Sequence, residues 1–566
     1  MNLNDQSTLT DLFTQRIAES PEAPAYRQFD GGEWKDWSWG EVGRAVGRWQ
    51  AAFTREGLKP GDRVALCLHN RVEWVLFDQA ALGLGLVVVP LYFEDRPDNM
   101  AWCLNDAGAR LLLIEDSAQW PALRALTKTL ERVVYLDGAA PGDAKAVRLG
   151  DWLPAEGAIA ARAPARAQDL ATIVYTSGTT GRPKGVMLSH RNILSNVIAS
   201  MHAIPVYPRD RFVSFLPLSH MFERTCGYYS GIWAGAQTVY ARSISLLAED
   251  LQTQTPTILV AVPRIFERIW TRMQEQMPPG SPKRRLFDLA VEVGWRRFNK
   301  QASASDRLLW PLLKLLVAKK LYRRLGGRMR LIVAGGAALA PQLARIFVGL
   351  GLPILQGYGL TETAPVLAAN RHGDNDPASV GRALEGIELR CDESGELLAR
   401  GPNIMLGYWN NPEATRAMID ADGWLHTGDL VRIREGRVHI TGRVKEIIVL
   451  SNGEKVPPGD AEQAVLQDPV FEQAMVLGEG QPKLGLLCVS KLENLTELCA
   501  RANAQLRDFP GYARICHIAR VTEPWTVENG LLTPTLKLKR KEMMTRFSRE
   551  IEAMYATMEY CCPKGQ

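Results

Sequence analysis

Three glycines, four Ser or Thr hydroxyls, an arginine and a lysine fall within eleven residues in YTSGTTGRPKG, residues 175–185. Gly178, Gly181 and Gly185 permit positive φ and close backbone approach. Thr176, Ser177, Thr179 and Thr180 offer hydroxyl donors, Lys184 offers a point charge, and successive N–H groups in such a loop form an anion-binding nest. This is chemistry for phosphate. It is not the GxxxxGK[ST] loop of a nucleotide-hydrolysing switch, because Lys184 follows Pro183 and precedes Gly185. GVMLSH, a strand pattern, comes next, where a P-loop would open a helix to hold the phosphates on its N-terminus. The segment therefore reads as a clamp on β- and γ-phosphates that later lets pyrophosphate go. By composition alone it reads equally as a glycine-rich turn between strands.

Four more segments carry chemistry in order along the chain. In QGYGLTET, 356–363, two glycines bracket Tyr358 and could present its ring to a base. Glu362 with Thr361 and Thr363 supplies hard oxygens suited to Mg²⁺; a strand-end turn with a capping Thr is the plain alternative. In GWLHTGDLVRI, 423–433, Asp429 can meet ribose hydroxyls, as acidic residues do in other nucleotide sites, or simply occupy a turn. Arg443 and Lys445 precede an apolar strand, and ENGLLTPTLKLKRKE, from 528, leads a polar glycine loop into lysines. Neither GxSxG nor HExxH occurs, and the eight histidines include no close ligand pair. His220 in LPLSHMFERT stands out among them, although a lone His in apolar company often packs in a core.

These loops need a scaffold. The chain has 566 residues, enough for roughly three or four domains or subdomains, and 46% hydrophobic with 23% charged residues is ordinary for a globular protein. SWGEVGRAVGRWQAAF opens with a Ser38/Glu41 capping-box pattern and repeats apolar residues at helical spacing. GDRVALCLHN, LVVVPLY, ARLLLIED, RVVYLD and LATIVY read as strands alternating with helices, which favours parallel α/β layers. From about 380 the pattern turns to short strands, and a last α/β unit fills 444–566. The most apolar run, 81–92, is too short to span a bilayer. Nine cysteines without a CxxC pair and a polar N-terminus point to a reducing cytoplasm. Charge is uneven: residues 264–330 hold 17 Lys or Arg against 5 Asp or Glu, so the remaining chain is net negative although the whole is +5.

Together, YTSGTTGRPKG, QGYGLTET, HTGDL and GRVKEIIV resemble the motifs of the adenylate-forming enzymes: acyl-CoA synthetases, nonribosomal adenylation domains and firefly-type luciferases. The resemblance runs from about residue 10 to about 545. FLPLSHMFERT, VPRIFERIW, LLTPTLKLKRK and the long basic insert are similar to the bacterial long-chain fatty acyl-CoA synthetases. The implied fold is α/β. A large N-terminal domain of stacked sheets would occupy 1–442, with a small β-barrel-like subdomain of short strands at about 380–442. A small mobile α+β domain would fill 443–566, after a hinge at Lys445.

The implied reaction joins a fatty acid to ATP as acyl-AMP, releasing pyrophosphate, and then passes the acyl group to CoA. The resemblance gives Lys537, Glu362, Lys184 and His220 the chemistry, with Lys539 the rival to Lys537. It gives Mg²⁺ to Glu362 and Thr176. It gives the nucleotide to Thr176, Ser177, Gly178, Thr179, Thr180, Gly181, Gly335, Gly336, Ala337, Gln356, Gly357, Tyr358, Gly359, Thr361, Asp429, Arg443 and Lys445. The acyl wall would come from MFERTCGYY after His220, with Gly227 leaving a tunnel open. The basic insert at 264–330 reads as a peripheral membrane contact at the inner face, through Trp270, Trp310, Leu312 and Leu313, or as a solvated helical hairpin that attracts anionic substrates. No nucleic-acid module is present, and oligomeric state is open. Transfer to a carrier protein, a medium-chain or aryl substrate, and a non-catalytic lipid- or nucleotide-binding protein are the competing functions.

Overall fold

The computed structural model describes every residue except 1, 2, 5, 158–164, 177–181, 279, 338, 445, 446, 508, 534–536 and 557–566, together with the side chain of Lys455. Two large sheets carry the N-terminal part. The first has eight strands. Arg63–Cys67, Val87–Pro90, Leu111–Asp116, Arg132–Asp137 and Ala146–Arg148 run parallel, and Leu170–Thr176 joins them beside Val87–Pro90. Its near-continuous apolar strands are what a sheet covered on both faces requires. At the other edge Leu170–Thr176 and Lys184–Ser189 form an antiparallel hairpin, extended by Gly407–Tyr408.

The second sheet has thirteen strands and changes character half-way. Arg211–Ser214, Gln237–Tyr240, Ile258–Ala261, Leu331–Ala334 and Ile354–Gly359 are parallel. Ile354–Gly359 then pairs antiparallel with Val366–Ala369. The ladder continues antiparallel through Arg382–Ala383, Arg437–Arg443, Leu425–Arg434, Glu396–Arg400 and Glu388–Cys391. The short-strand unit expected at about 380–442 is thus joined to the parallel sheet through one shared strand. The C-terminal part has a three-stranded mixed sheet of Phe471–Leu477, Leu484–Ser490 and Ile515–Val521, with its own apolar core. Of its helices, Leu495–Gln505 packs on Ile515–Val521.

Local signals explain the helices that hold the site. Ser38 and Glu41 make both bonds of a capping box on Trp39–Arg55, and Ser189 with Asn192 does the same for His190–Ala203. A buried charge pair then ties elements together. Asp78, on Val72–Gly83, is bonded to Arg224, and both side chains are fully buried. Tyr229 and Tyr228 donate to Asp78 at 2.9 and 3.1 Å, while Arg224 donates to Thr172 Oγ1 at 2.9 Å. Thr172 lies on the strand that ends at Thr176 and Arg224 follows His220 by four residues, so this network fixes two walls of the site against each other.

The basic insert is helical: Pro263–Glu275, Pro282–Phe298, and a third helix that runs from Ala304–Leu313 through a π-turn at Lys314–Ala318 into Lys319–Arg324. Pro282–Phe298 packs so closely on Pro341–Gly349 that a Cβ on Gly294 would lie 1.7 Å from the Gly349 carbonyl oxygen. Trp270 and Trp310 are half-buried in the core beneath these helices and Leu313 is buried, so of the four interfacial candidates only Leu312 faces out. Cys67, Cys103, Cys226, Cys391, Cys488 and Cys516 are free thiols.

Candidate active site

A cavity of about 1730 Å³ opens where the two sheets and the C-terminal part meet. The phosphate hairpin forms one wall. Its register sets Thr176 opposite Lys184 and Tyr175 opposite Gly185. Tyr175 Oη donates to Asp106 Oδ2 at 2.6 Å, which anchors the end of the strand. Gly185 does not use positive φ. Its need for glycine is steric, since a Cβ there would lie 2.7 Å from Ile173 Cγ2. Ser177, Gly178, Thr179, Thr180 and Gly181 lie outside the described residues, as does Lys445.

Glu362 faces Lys184 across Tyr408. Tyr408 Oη donates to Glu362 Oε1 at 2.8 Å, and Lys184 Nζ sits 5.1 Å from the centre of the Tyr408 ring. Burial and the neighbouring carboxylate hold the Tyr408 phenol protonated, its pKa far above the ordinary 10. Tyr408 was not anticipated. It lies more than 200 residues from Lys184, in the segment GYWN. Only the pairing of Gly407–Tyr408 with Val186 and Met187 carries it here. Among the described residues no group of three or more His, Cys, Asp or Glu could hold a metal. A divalent cation at Glu362 would therefore complete its coordination with water and substrate phosphates, which is the ordinary habit of Mg²⁺.

On the opposite wall Tyr358 Oη is hydrogen-bonded to Asp429 Oδ2, and Arg443 Nε donates to Asp429 Oδ1 at 2.8 Å. Asp429 and Arg443 are direct register partners on adjacent antiparallel strands. Gly357, Tyr358, Gly359 and Thr361 line the cavity, as do Gly335, Gly336 and Ala337. Gly359 is demanded by proximity, because a Cβ would lie 1.8 Å from the Pro365 carbonyl oxygen. Gln356 is not brought to the cavity: it is buried and donates to the Pro377 carbonyl at 2.7 Å.

His220 and Lys537, more than 300 residues apart in sequence, both line the cavity. His220 Nδ1 accepts the Phe222 N–H at 3.2 Å and caps the short helix that follows. Desolvation, and then the Lys537 charge, push the imidazole down to about 4, so it is neutral at pH 7. Lys537 and Lys539 both border the cavity, but Lys537 is the one whose charge bears on His220. The backbone N–H of Lys537 donates to Thr533 Oγ1 at 3.0 Å. Arg540 is anchored to Glu462 at 2.6 Å, fixing the chain just beyond.

An apolar arm leads away from these polar groups, lined by Met201, Phe212, Ile258, Leu331, Val366 and Leu384. The expected wall after His220 is thinner than the sequence suggested. Phe222 and Cys226 reach the arm, whereas Tyr228 and Tyr229 belong to the Asp78 network. Gly227 opens no tunnel. A Cβ there would lie 2.5 Å from Glu223 Oε1, so it makes room for that buried carboxyl. Most of the arm comes instead from the sheet strands and the end of His190–Ala203.

Residues 13–409 match the AMP-binding enzyme model, and 445–559 match the AMP-binding enzyme C-terminal domain. The chain belongs to the AMP-binding enzyme family. This AMP-binding enzyme is 31% identical to the long-chain-fatty-acid–CoA ligase FadD15 of Mycobacterium bovis, covering 98% of each chain. It is 31% identical to the peroxisomal long chain acyl-CoA synthetase 7 of Arabidopsis thaliana over 92% of its length and 82% of that protein's. Its fold superposes with a TM-score of 0.79 on the A domain of a carboxylic acid reductase from Segniliparus rugosus, solved with AMP and a co-purified carboxylic acid. That match is at 22% identity over 97% of this chain and 94% of the other. No described helix is long and apolar enough to cross a membrane.

Proposed function

We propose that this AMP-binding enzyme activates a long-chain fatty acid with ATP and transfers the acyl group to CoA, releasing AMP and pyrophosphate. The observation that carries the reading is one continuous cavity. Lys184, Lys537 and Glu362 line it together with the apolar side chains of Met201, Phe212, Ile258, Leu331, Val366 and Leu384. The full-length likeness to long-chain acyl-CoA ligases agrees with it.

The first step needs repulsion between a carboxylate and a triphosphate to be overcome. Lys184, beside Tyr408, meets the β/γ-phosphate end, and Lys537 neutralises charge gathering at the α-phosphoryl group as the carboxylate attacks. Mg²⁺ held on Glu362, with Thr176 near by, would supply further charge neutralisation on the phosphates. No base is required, because a fatty acid is already ionised at pH 7. The neutral His220 fits that need: it keeps the wall uncharged beside Lys537 and leaves the lysine as the cation. Tyr358, the Gly335–Gly336 backbone and Ala337 would flank adenine, and Asp429, oriented by Arg443, would take the ribose hydroxyls. In the second step the CoA thiolate attacks the acyl carbon and AMP leaves. Lys537 must then withdraw, which a rotation of 443–566 about Lys445 would achieve. The proposed working place is the cytoplasm.

The test is a reaction of purified protein with ATP, Mg²⁺, palmitate and CoA. AMP release should rise with CoA and match acyl-CoA formed. Release indifferent to CoA would reassign the acceptor to a carrier protein, and a preference for short or aryl acids across an acid panel would overturn the substrate class. In pyrophosphate exchange, Lys537→Ala should lose about 10²–10³-fold, whereas Lys539→Ala should stay near the parent rate.

A further inference from the structure

The outermost helix of the basic insert carries leucines where a solvated helix would carry polar side chains. Its inner face is accounted for. Leu313, Ala318 and Leu321 are buried against the neighbouring helices, and Asp306 is paired with Arg296 at 2.6 Å. Its outer face is not. Leu308 is 83% exposed, Leu312 52%, Leu315 54% and Leu316 42%. Leu312 follows Leu308 by four residues, and Leu315 and Leu316 follow Leu312 by three and four, which puts these side chains on one stripe of the helix. Exposed Arg307, Lys314, Lys319, Lys320 and Arg323 border it. Two acids of the neighbouring helix are turned to other arginines: Asp288 to Arg284, and Glu292 to Arg296 and Arg345. The cations beside the stripe therefore leave a strongly positive, apolar-centred face.

Charge decides what such a face fits. A second copy docking symmetrically would bring the same positive surface against itself and be repelled. An anionic bilayer offers phosphates to the cations and an acyl boundary to the leucines. We propose that the outer face of residues 304–324 docks this protein on anionic phospholipid, with Leu308, Leu312, Leu315 and Leu316 entering the headgroup–acyl boundary and the flanking Lys and Arg meeting the phosphates. This narrows the membrane contact from the whole 264–330 segment to one helix. It does not depend on the ligase reading, since the surface lies apart from the cavity.

The experiment is co-sedimentation of the full chain with vesicles of phosphatidylcholine alone or mixed with phosphatidylglycerol, without nucleotide or fatty acid. The parent should sediment with the mixed vesicles, weaken as salt is raised, and remain free of the neutral ones. L308S/L312S/L315S and, separately, K314E/K319E/K320E should each lower partitioning by about tenfold or more, with activity on a water-soluble acid unchanged. Equal binding to neutral vesicles, or unaltered binding by both variants, overturns the proposal. So does a concentration-dependent dimer in sedimentation that the leucine variant abolishes, because the stripe would then serve a second copy.

Discussion

Tyr408 stands between a carboxylate and an ammonium, giving its hydroxyl to Glu362 and its ring face to Lys184. A hydrogen bond to a charged acceptor contributes about 1.5–3 kcal/mol, and here it holds one oxygen of Glu362 so that the other is free to meet a cation. Tyr408→Phe keeps the ring contact and removes only that bond. The Mg²⁺ concentration for half-maximal adenylation should rise about tenfold or more, while the fatty-acid KM stays near the parent value. An unchanged Mg²⁺ dependence would remove Tyr408 from the site's machinery. Residue types pointed to Lys184, Glu362, Tyr358 and Asp429 as candidates, and the family resemblance added Lys537. They could not point to Tyr408, whose role depends on a strand pairing with no local signature. Nor could they show that Gln356 turns away to Pro377 or that Gly227 serves Glu223.

At the level of elements, the Asp78–Arg224 pair joins the helix Val72–Gly83, the strand Leu170–Thr176 and the helical segment after His220. Removing one member of a buried pair leaves the other charge without compensation, at a cost of about 3–5 kcal/mol. Asp78→Ala should move the first denaturant transition of the N-terminal part down by that amount. A Asp78→Ala/Arg224→Met double variant should recover part of it. Failure of the double variant to recover any stability would mean that the pair contributes through geometry other than charge compensation. Helices and strands were largely legible from periodicity, since capping residues and apolar spacing act within a turn or two. The sheet edge at Gly407–Tyr408 and the continuation of the parallel sheet into the short strands were not, because both are long-range pairings.

For the whole molecule, two buried titrating groups set opposite limits on stability with pH. Burial lowers His190 from 6.5 to about 4, so the folded state resists a proton the unfolded state accepts. That stability is present above 6.5 and is lost as pH falls towards 4. Burial raises Glu223 from 4.5 to about 8, so the folded state keeps a proton the unfolded chain releases. Its contribution is full below 4.5 and declines as pH rises through 8. Thermal unfolding across this range should show both slopes, and Glu223→Gln should flatten the alkaline one. If the variant keeps that decline, Glu223 is not its source.

The sequence by itself determined the kind of chemistry, the α/β class and the family resemblance. Those rest on residue types, short spacings and motif order, which survive without coordinates. Only the tertiary structure decided which lysine bears on His220, what holds Glu362, where the apolar arm runs and which leucines face out. Each of these depends on residues far apart in the chain meeting, or failing to meet, through packing and strand pairing. The segment 175–185 reads as phosphate chemistry in eleven residues, but the groups that share the cavity with Thr176 and Lys184 come from positions near 360, 408 and 537, and folding alone brings them together.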